Sequence, residues 1–171
     1  MKTKKAFVRK EIDKIIRKEF SCFIMDKTMI VPPGTLCYRV VNQENIDNKR
    51  YFLVVNFGDS YWDKFTFECV WLSDAGTDLP SMWPEDTASS EGCLRFGFLY
   101  PGAINGYDFW WEIGEGEINE DSQRHLQQVI FDAVSKIRQY IIPFFQEMIA
   151  LHNLHKSSLL LSQIDEKLKN F

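Results

Sequence analysis

Lys64-Phe65-Thr66-Phe67-Glu68-Cys69-Val70-Trp71 decides the fold, because its large apolar side chains fall on every second residue. In an extended chain successive side chains point to opposite sides, so Phe65, Phe67, Cys69 and Trp71 form one row. Lys64, Thr66, Glu68 and Val70 form the other. This alternation predicts a strand. The same period appears upstream, where Leu36, Tyr38 and Val40 alternate with Cys37, Arg39 and Val41, and Tyr51, Leu53, Val55 and Phe57 alternate with Phe52, Val54 and Asn56. Downstream, Leu94, Phe96, Phe98 and Tyr100 predict a fourth strand, opposed by Arg95, Gly97 and Leu99. Tyr107-Asp108-Phe109-Trp110-Trp111-Glu112-Ile113 predicts a fifth.

The connections set the topology. Asn42 to Asn48, Gly58-Asp59-Ser60, and Pro101-Gly102 to Asn105-Gly106 are short or rich in turn residues. Parallel neighbours need a crossover of a dozen residues or more, so these spacings predict an antiparallel meander. Ser73 to Glu91 is the exception: it lacks a period and holds Asp74, Gly76, Asp78, Pro80, Trp83, Pro84, Glu85 and Asp86. A loop of that length in a small domain is a candidate contact element.

Helical periods flank the strands. Val8, Ile12, Ile15, Ile16 and Phe20 recur at three- and four-residue steps and predict a helix over 3–20, after which Pro32-Pro33-Gly34 predicts a turn. From Asn119 a second stripe runs through Leu126, Val129, Ile130, Ala133, Val134, Ile137 and Ile141, with Asn119 or Asp121 as the cap. Pro143 has no N–H to give Gln139, which predicts a kink or a new helix there. Phe144, Phe145, Met148 and Leu151 continue the stripe, and Leu160, Ile164 and Leu168 predict a last helix over about 157–169. The expectation is one α+β domain over 1–171, with 156–171 as an appended helix. Its five-stranded, mainly antiparallel sheet is packed on one face by the N-terminal helix and the long Pro-interrupted C-terminal helix.

Composition narrows the function classes. Aromatics make up 15% of 171 residues, enough to bury a large core without disulfides. Cys22, Cys37, Cys69 and Cys93 form no CxxC pair and read as reduced, mostly buried thiols. Lys2, Lys4 and Lys5 precede an amphipathic segment instead of an apolar run, so no signal peptide is expected; the apolar runs are too short to span a bilayer, and the chain reads as cytoplasmic. The net charge of -4 divides into +5 over residues 1–20, from eight Lys/Arg against three Asp/Glu, and -9 over the rest. An acidic body behind one basic helix argues against nucleic acid as the partner.

Catalytic motifs do not emerge. His152 and His155 are three apart near Glu147, a count and spacing short of a metal site, and His125 stands alone. GxSxG, GxGxxG and GxxxxGK[ST] do not occur, and the glutamates of Gly114-Glu115-Gly116-Glu117 would repel an anion. No cofactor and no metal are expected. Asp108 and Glu112 share a strand row, about 13 Å apart by strand rise, beyond the spacing of a glycosidase pair. Their simpler reading is a soluble strand face, pairing across the sheet with Arg39, Lys64 or Arg95. A small hydrolase using Glu68, Asp108 or Glu112 is the enzyme alternative, and an oligomerising structural subunit is another.

The tandem tryptophans carry the sharpest question. With Phe109, Trp111 and Ile113 in the core, Asp108, Trp110 and Glu112 face the other way. Trp110 is then either covered by the long loop, with Trp83 over it, or a C-terminal helix, or else it meets a partner. In the partner reading the contact residues are Trp83, Asp108, Trp110, Glu112, Glu115 and Glu117, and Asp74, Asp78, Glu85 and Asp86 add to the field that steers a basic protein.

The order of helix, antiparallel strands, the Trp110-Trp111 strand and a long helix interrupted at Ile142-Pro143-Phe144-Phe145 resembles small bacterial domain-of-unknown-function α+β proteins, several of them linked to toxin immunity or defence loci. The likeness spans roughly Val8 to Leu151. It implies an α+β fold and no established activity, and it supplies no catalytic residues. The function expected from the acidic strand and loop surface is a non-enzymatic protein-binding module, with an immunity-like inhibitor of a basic partner as its concrete form.

Overall fold

The computed structural model describes all residues except 1, 2, 42–47, 59–62, 74, 75, 81, 82, 104 and 155–157, and of Leu154 only the backbone. Most of the Asn42–Asn48 connection, Asp59-Ser60, Asp74, His155 and Ser157 therefore lie outside the described residues.

The first helix, α1 (Lys4–Glu19), starts where Thr3 Oγ1 accepts the amide of Ala6 at 3.2 Å. Its buried stripe is Val8, Ile12 and Ile16, the predicted period. Five strands follow as an antiparallel meander: β1 (Phe23–Met25), β2 (Leu36–Val40), β3 (Arg50–Asn56), β4 (Lys64–Leu72) and β5 (Gly92–Arg95). β6 (Trp111–Glu112) pairs with β4 and not with β5, at Lys64↔Glu112 and Phe65↔Trp111. β4 thus serves β5 along Glu68–Trp71 and β6 at its start.

The structure differs from the sequence reading in four places, the first being that the predicted fifth strand pairs with the predicted third, β4, where a simple meander would set it beside the fourth. β1 was not expected, because three residues are too few to display a period. The predicted fourth strand ends at Arg95, and Phe96–Phe98 form a 3₁₀ turn that buries all three residues, Gly97 included. Gly97 is needed there: a β-carbon on it would stand 2.3 Å from the carbonyl carbon and oxygen of Tyr107 and 2.6 Å from the Asp108 amide nitrogen. The fifth strand shortens to two residues, although the alternation either side of it survives, with Trp111 and Ile113 buried.

The inner row of the sheet includes Tyr38, Tyr51, Leu53, Val55, Phe65, Phe67, Cys69, Trp71 and Leu94, and the helices pack on it. α2 (Glu120–Lys136) opens with a reciprocal cap in which Asn119 Oδ1 accepts the Ser122 amide and Ser122 Oγ accepts the Asn119 amide, both at 2.8 Å. Pro143 is met by a π turn over Ile137–Ile141, closed by the Ile142 N–H on the Ile137 carbonyl, before α3 (Ile142–Leu154). Widening the preceding turn relieves the helix of the bond a proline cannot donate. α4 (Leu159–Lys169) is capped by Ser158, and its Leu161 and Ile164 enter the same core.

The outer face is not simply wet. A second apolar cluster, Met29, Cys37, Phe52, Val54, Val70 and Leu72, covers part of it, with Val31, Leu79 and Cys93 packed against it. The covering segments are tied by a parallel bridge, Ile30↔Asp78, and by the Ile30 amide on the Thr77 carbonyl at 2.9 Å. Along β4 the outer row therefore runs from apolar Val70 and Leu72 to polar Glu68, Thr66 and Lys64.

Gly97→Ala is expected to lower unfolding free energy by about 3 kcal/mol, since backbone is what a β-carbon would strike. Urea denaturation reads this directly, and a loss of only a few tenths would mean that the Tyr107–Asp108 crossing is loosely held.

Candidate functional site

At the polar end of the outer face one arginine collects four partners. Arg95 lies directly across from Glu68 in the β4–β5 ladder, with Nε 3.8 Å from Glu68 Oε1. Its Nη1 stands 3.9 Å from Asp108 Oδ1. The guanidinium carbon is 5.5 Å from the ring centre of Trp110 and 5.6 Å from that of Trp83. Lys64 Nζ approaches the Trp110 ring from β4 at 4.8 Å.

Trp110 is held from both ends. Its indole N–H donates to Asp108 Oδ1 at 2.6 Å, and the preceding carbonyl, of Phe109, accepts from the buried Thr66 hydroxyl at 2.8 Å. The ring is half-buried. Contacts of this kind are individually weak: an exposed ion pair such as Arg95–Asp108 contributes about 0.5 kcal/mol, and a surface cation–π contact about the same. Together they fix orientation, while the hydrophobic core supplies the stability.

Glu68 is the most perturbed carboxylate in the cluster. It is 8% exposed, and burial pushes its carboxyl above the usual range, against the opposing pull of the Asn56 amide and the Arg95 charge. Asn56 Nδ2 donates to Glu68 Oε1 at 3.0 Å, and Asn56 Oδ1 accepts the Gly58 amide at 2.8 Å. Glu68 and Asp108 thus converge as the hydrolase alternative required, but on a guanidinium.

The sequence-derived contact residues separate into groups. Asp108, Trp110 and Trp83 meet at Arg95. Glu112 is exposed and stands opposite Lys64 in the ladder, so of the three cations offered for these carboxylates Arg95 lies beside Asp108 and Lys64 beside Glu112, while Arg39 lies at the other end of the face. Glu115 and Glu117 are exposed on the segment that leads to α2 and runs beside the start of α1: Glu117 bridges to Thr3, and the Lys4 amide donates to the Gly116 carbonyl at 3.2 Å. Trp83 packs on Phe98 and Phe171, with ring centres 5.0 and 5.6 Å away, so it shares Arg95 with Trp110 while its own ring seals the core near the end of α4. Asp78 and Glu85 are exposed, whereas Asp86 fastens its own turn through the Ala88 amide and the Ser89 hydroxyl.

The described part of the long loop is anchored. Thr87 is 1% exposed; its amide and hydroxyl donate to the Asp165 carboxylate of α4 at 2.7 and 3.3 Å. The Trp71 indole N–H donates to the Ser89 carbonyl at 2.9 Å. His152, a residue that the sequence offered only as a weak metal ligand, is buried, with Nε2 3.1 Å from the Thr87 carbonyl and Nδ1 2.7 Å from the Tyr51 hydroxyl. A carbonyl can only accept, so Nε2 donates to Thr87, while Nδ1 and the Tyr51 hydroxyl share the second hydrogen bond. No local spacing signals this contact, since Tyr51 is 101 residues away. Among the described residues no group of three or more His, Cys, Asp or Glu could hold a metal ion.

The thiols are not poised as nucleophiles. Burial, aided by the charge of Asp26, pushes Cys37 up to about 12, and burial likewise raises Cys22, Cys69 and Cys93. On α1, Lys14 and Arg17 pair with Glu11 and Asp13, each at 3.7 Å, so its basic face is laced with carboxylates. No described helix is long and apolar enough to cross a membrane.

Fold and site together define an α+β domain whose sheet presents an aromatic and charged cluster on its outer face. Comparison with known proteins finds no match to this chain among family models, curated proteins or solved structures.

Because Glu68 binds its proton more tightly folded than unfolded, stability falls as pH rises from the ordinary carboxylate range through its raised value. Glu68→Gln cannot titrate. Across that window the unfolding free energy of the wild type is expected to fall relative to Glu68→Gln and to level off above it. Paired urea titrations at stepped pH check this, and a flat or rising difference would contradict the burial of the charge.

Proposed function

We propose that this protein is a non-enzymatic protein-binding module, and that it grips a basic partner through the outer-face surface around Trp110. The observation that carries the reading is Trp110 itself, a half-buried tryptophan whose indole N–H, backbone and ring faces are all fixed by neighbours on the sheet. A pre-oriented aromatic loses little side-chain freedom on association, which is what an interface anchor requires. The net charge of -9 over residues 21–171, with exposed Glu85, Glu112, Glu115 and Glu117, supplies long-range attraction for a cationic surface. Asp108 and Glu68 are occupied by Arg95, so they set the geometry of the anchor and leave steering to the exposed carboxylates.

The concrete form of this proposal is an immunity-like inhibitor of a basic protein in the bacterial cytoplasm, in keeping with the resemblance of the helix-sheet-helix order. A basic enzyme inhibited in this way would be encoded beside the inhibitor. Charge steering makes such a complex fast to form and sensitive to salt.

Trp110→Ala is expected to weaken a purified complex by about 2 kcal/mol, roughly thirtyfold, with the fold unchanged by circular dichroism. The partner would first be captured at low salt and then titrated calorimetrically against both proteins. Equal affinity for the two, or association indifferent to salt, would end this reading.

A further inference from the structure

The opposite end of the outer face carries a second constellation. Arg50 pairs with Leu72 at the far end of β4 from Lys64, about 26 Å away by strand rise. There the ends of β1, β2 and β3 border a cavity of about 430 Å³, with Ile24, Asp26, Arg39, Val41, Lys49 and Arg50 in its lining. Its volume lies within the range of small-molecule sites.

We propose that this cavity binds a small soluble molecule with an oxyanion head, carboxylate or phosphate, on an apolar body. Three cations face one carboxylate, in a protein whose net charge is -4. That carboxylate feels the Arg39 charge and also fastens the segment that covers the outer face, since Asp26 Oδ1 accepts the Thr28 amide and hydroxyl, each at 2.7 Å, and the Met29 amide at 3.2 Å. The lining therefore carries more cations than carboxylates.

Arg50 is the pre-set group. Its Nη2 donates to the Gly76 carbonyl and reaches the Ser73 carbonyl at 3.5 Å, and its guanidinium carbon lies 5.7 Å from the Phe52 ring centre. Its Nε is buried and has no hydrogen-bond acceptor among the described residues, a costly state for a charged donor. A guanidinium fork suits the paired oxygens of carboxylate or phosphate. Arg39, exposed on β2, adds a second fork. The apolar body would lie against Ile24 and Val41, which are 58% and 44% exposed. A bare ion would leave these two side chains without use.

The test uses phenyl phosphate, benzoate and inorganic phosphate with the full chain, by calorimetry and by methyl and amide NMR shifts. Phenyl phosphate and benzoate should bind saturably and move the signals of Ile24 and Val41, and inorganic phosphate should bind about tenfold more weakly for want of the apolar contact. Arg39→Glu should weaken phenyl phosphate at least about tenfold, Arg39→Ala less, and Arg124→Glu on the remote α2 should leave it unchanged. Trp110→Ala should also leave it unchanged, which separates this site from the proposed protein interface. Absence of saturable binding in the millimolar range, equal affinity for inorganic phosphate, or indifference to both Arg39 variants would overturn the assignment. Sedimentation with phosphatidylcholine vesicles that contain or lack phosphatidic acid distinguishes the source, and selective capture by the acidic vesicles would overturn a soluble ligand.

Discussion

Trp111 is the contact on which the arrangement of this protein turns. Its ring stacks on Phe65 at 5.2 Å and on Phe96 at 5.2 Å, and meets Phe67 and Phe109 edge-on or tilted at 5.0 and 4.8 Å. Its indole N–H reaches Asp132 of α2 at 2.8 Å. One side chain thereby joins β4, the 3₁₀ turn, the two-residue β6 and a helix. With so little ladder to hold β6, aromatic burial is what keeps that strand on the sheet.

The orientation of Trp110 is a consequence. Neighbouring residues in an extended segment face opposite ways, so anchoring Trp111 inside sends Trp110 out. Outside, it meets an unusual border, where an apolar outer cluster around Phe52, Val54 and Val70 gives way to Glu68, Thr66 and Lys64. Glu68 is buried enough to need its neighbours, and Arg95 and Asn56 answer that need. The same arginine then orders Asp108, Trp83 and Trp110. The surface proposed for partner binding is thus built as a by-product of satisfying a buried carboxylate, which gives it rigidity.

The outer face divides into two chemically distinct ends. Around Trp110 the side chains are aromatic with carboxylates nearby, whereas around Arg50 they are cationic with exposed aliphatic residues. The covering segment near Met29 and Leu79 lies over the apolar middle. The two proposed sites would thus place ligands of opposite charge on one sheet face, with each end ordered by the same strands.

The sequence by itself determined the α+β class, the antiparallel sense of the strands, the stripe of α1, a cap at Asn119 or Asp121 and the opposition of Trp110 to Trp111, because each follows from a local period or a residue's own hydrogen-bonding capacity. It also offered Arg95 as one of three cations to pair with Asp108. Only the tertiary structure decided which option held, since register depends on how whole strands pack. It alone set the 3₁₀ turn at Gly97, where the Tyr107–Asp108 backbone passes too close for a side chain. Tyr51–His152 and Thr87–Asp165 were likewise invisible in the sequence, because these partners are 101 and 78 residues apart and nothing local requires them. Periodicity reports what a residue does relative to its neighbours, and long-range contacts become fixed only when the helices close over the sheet.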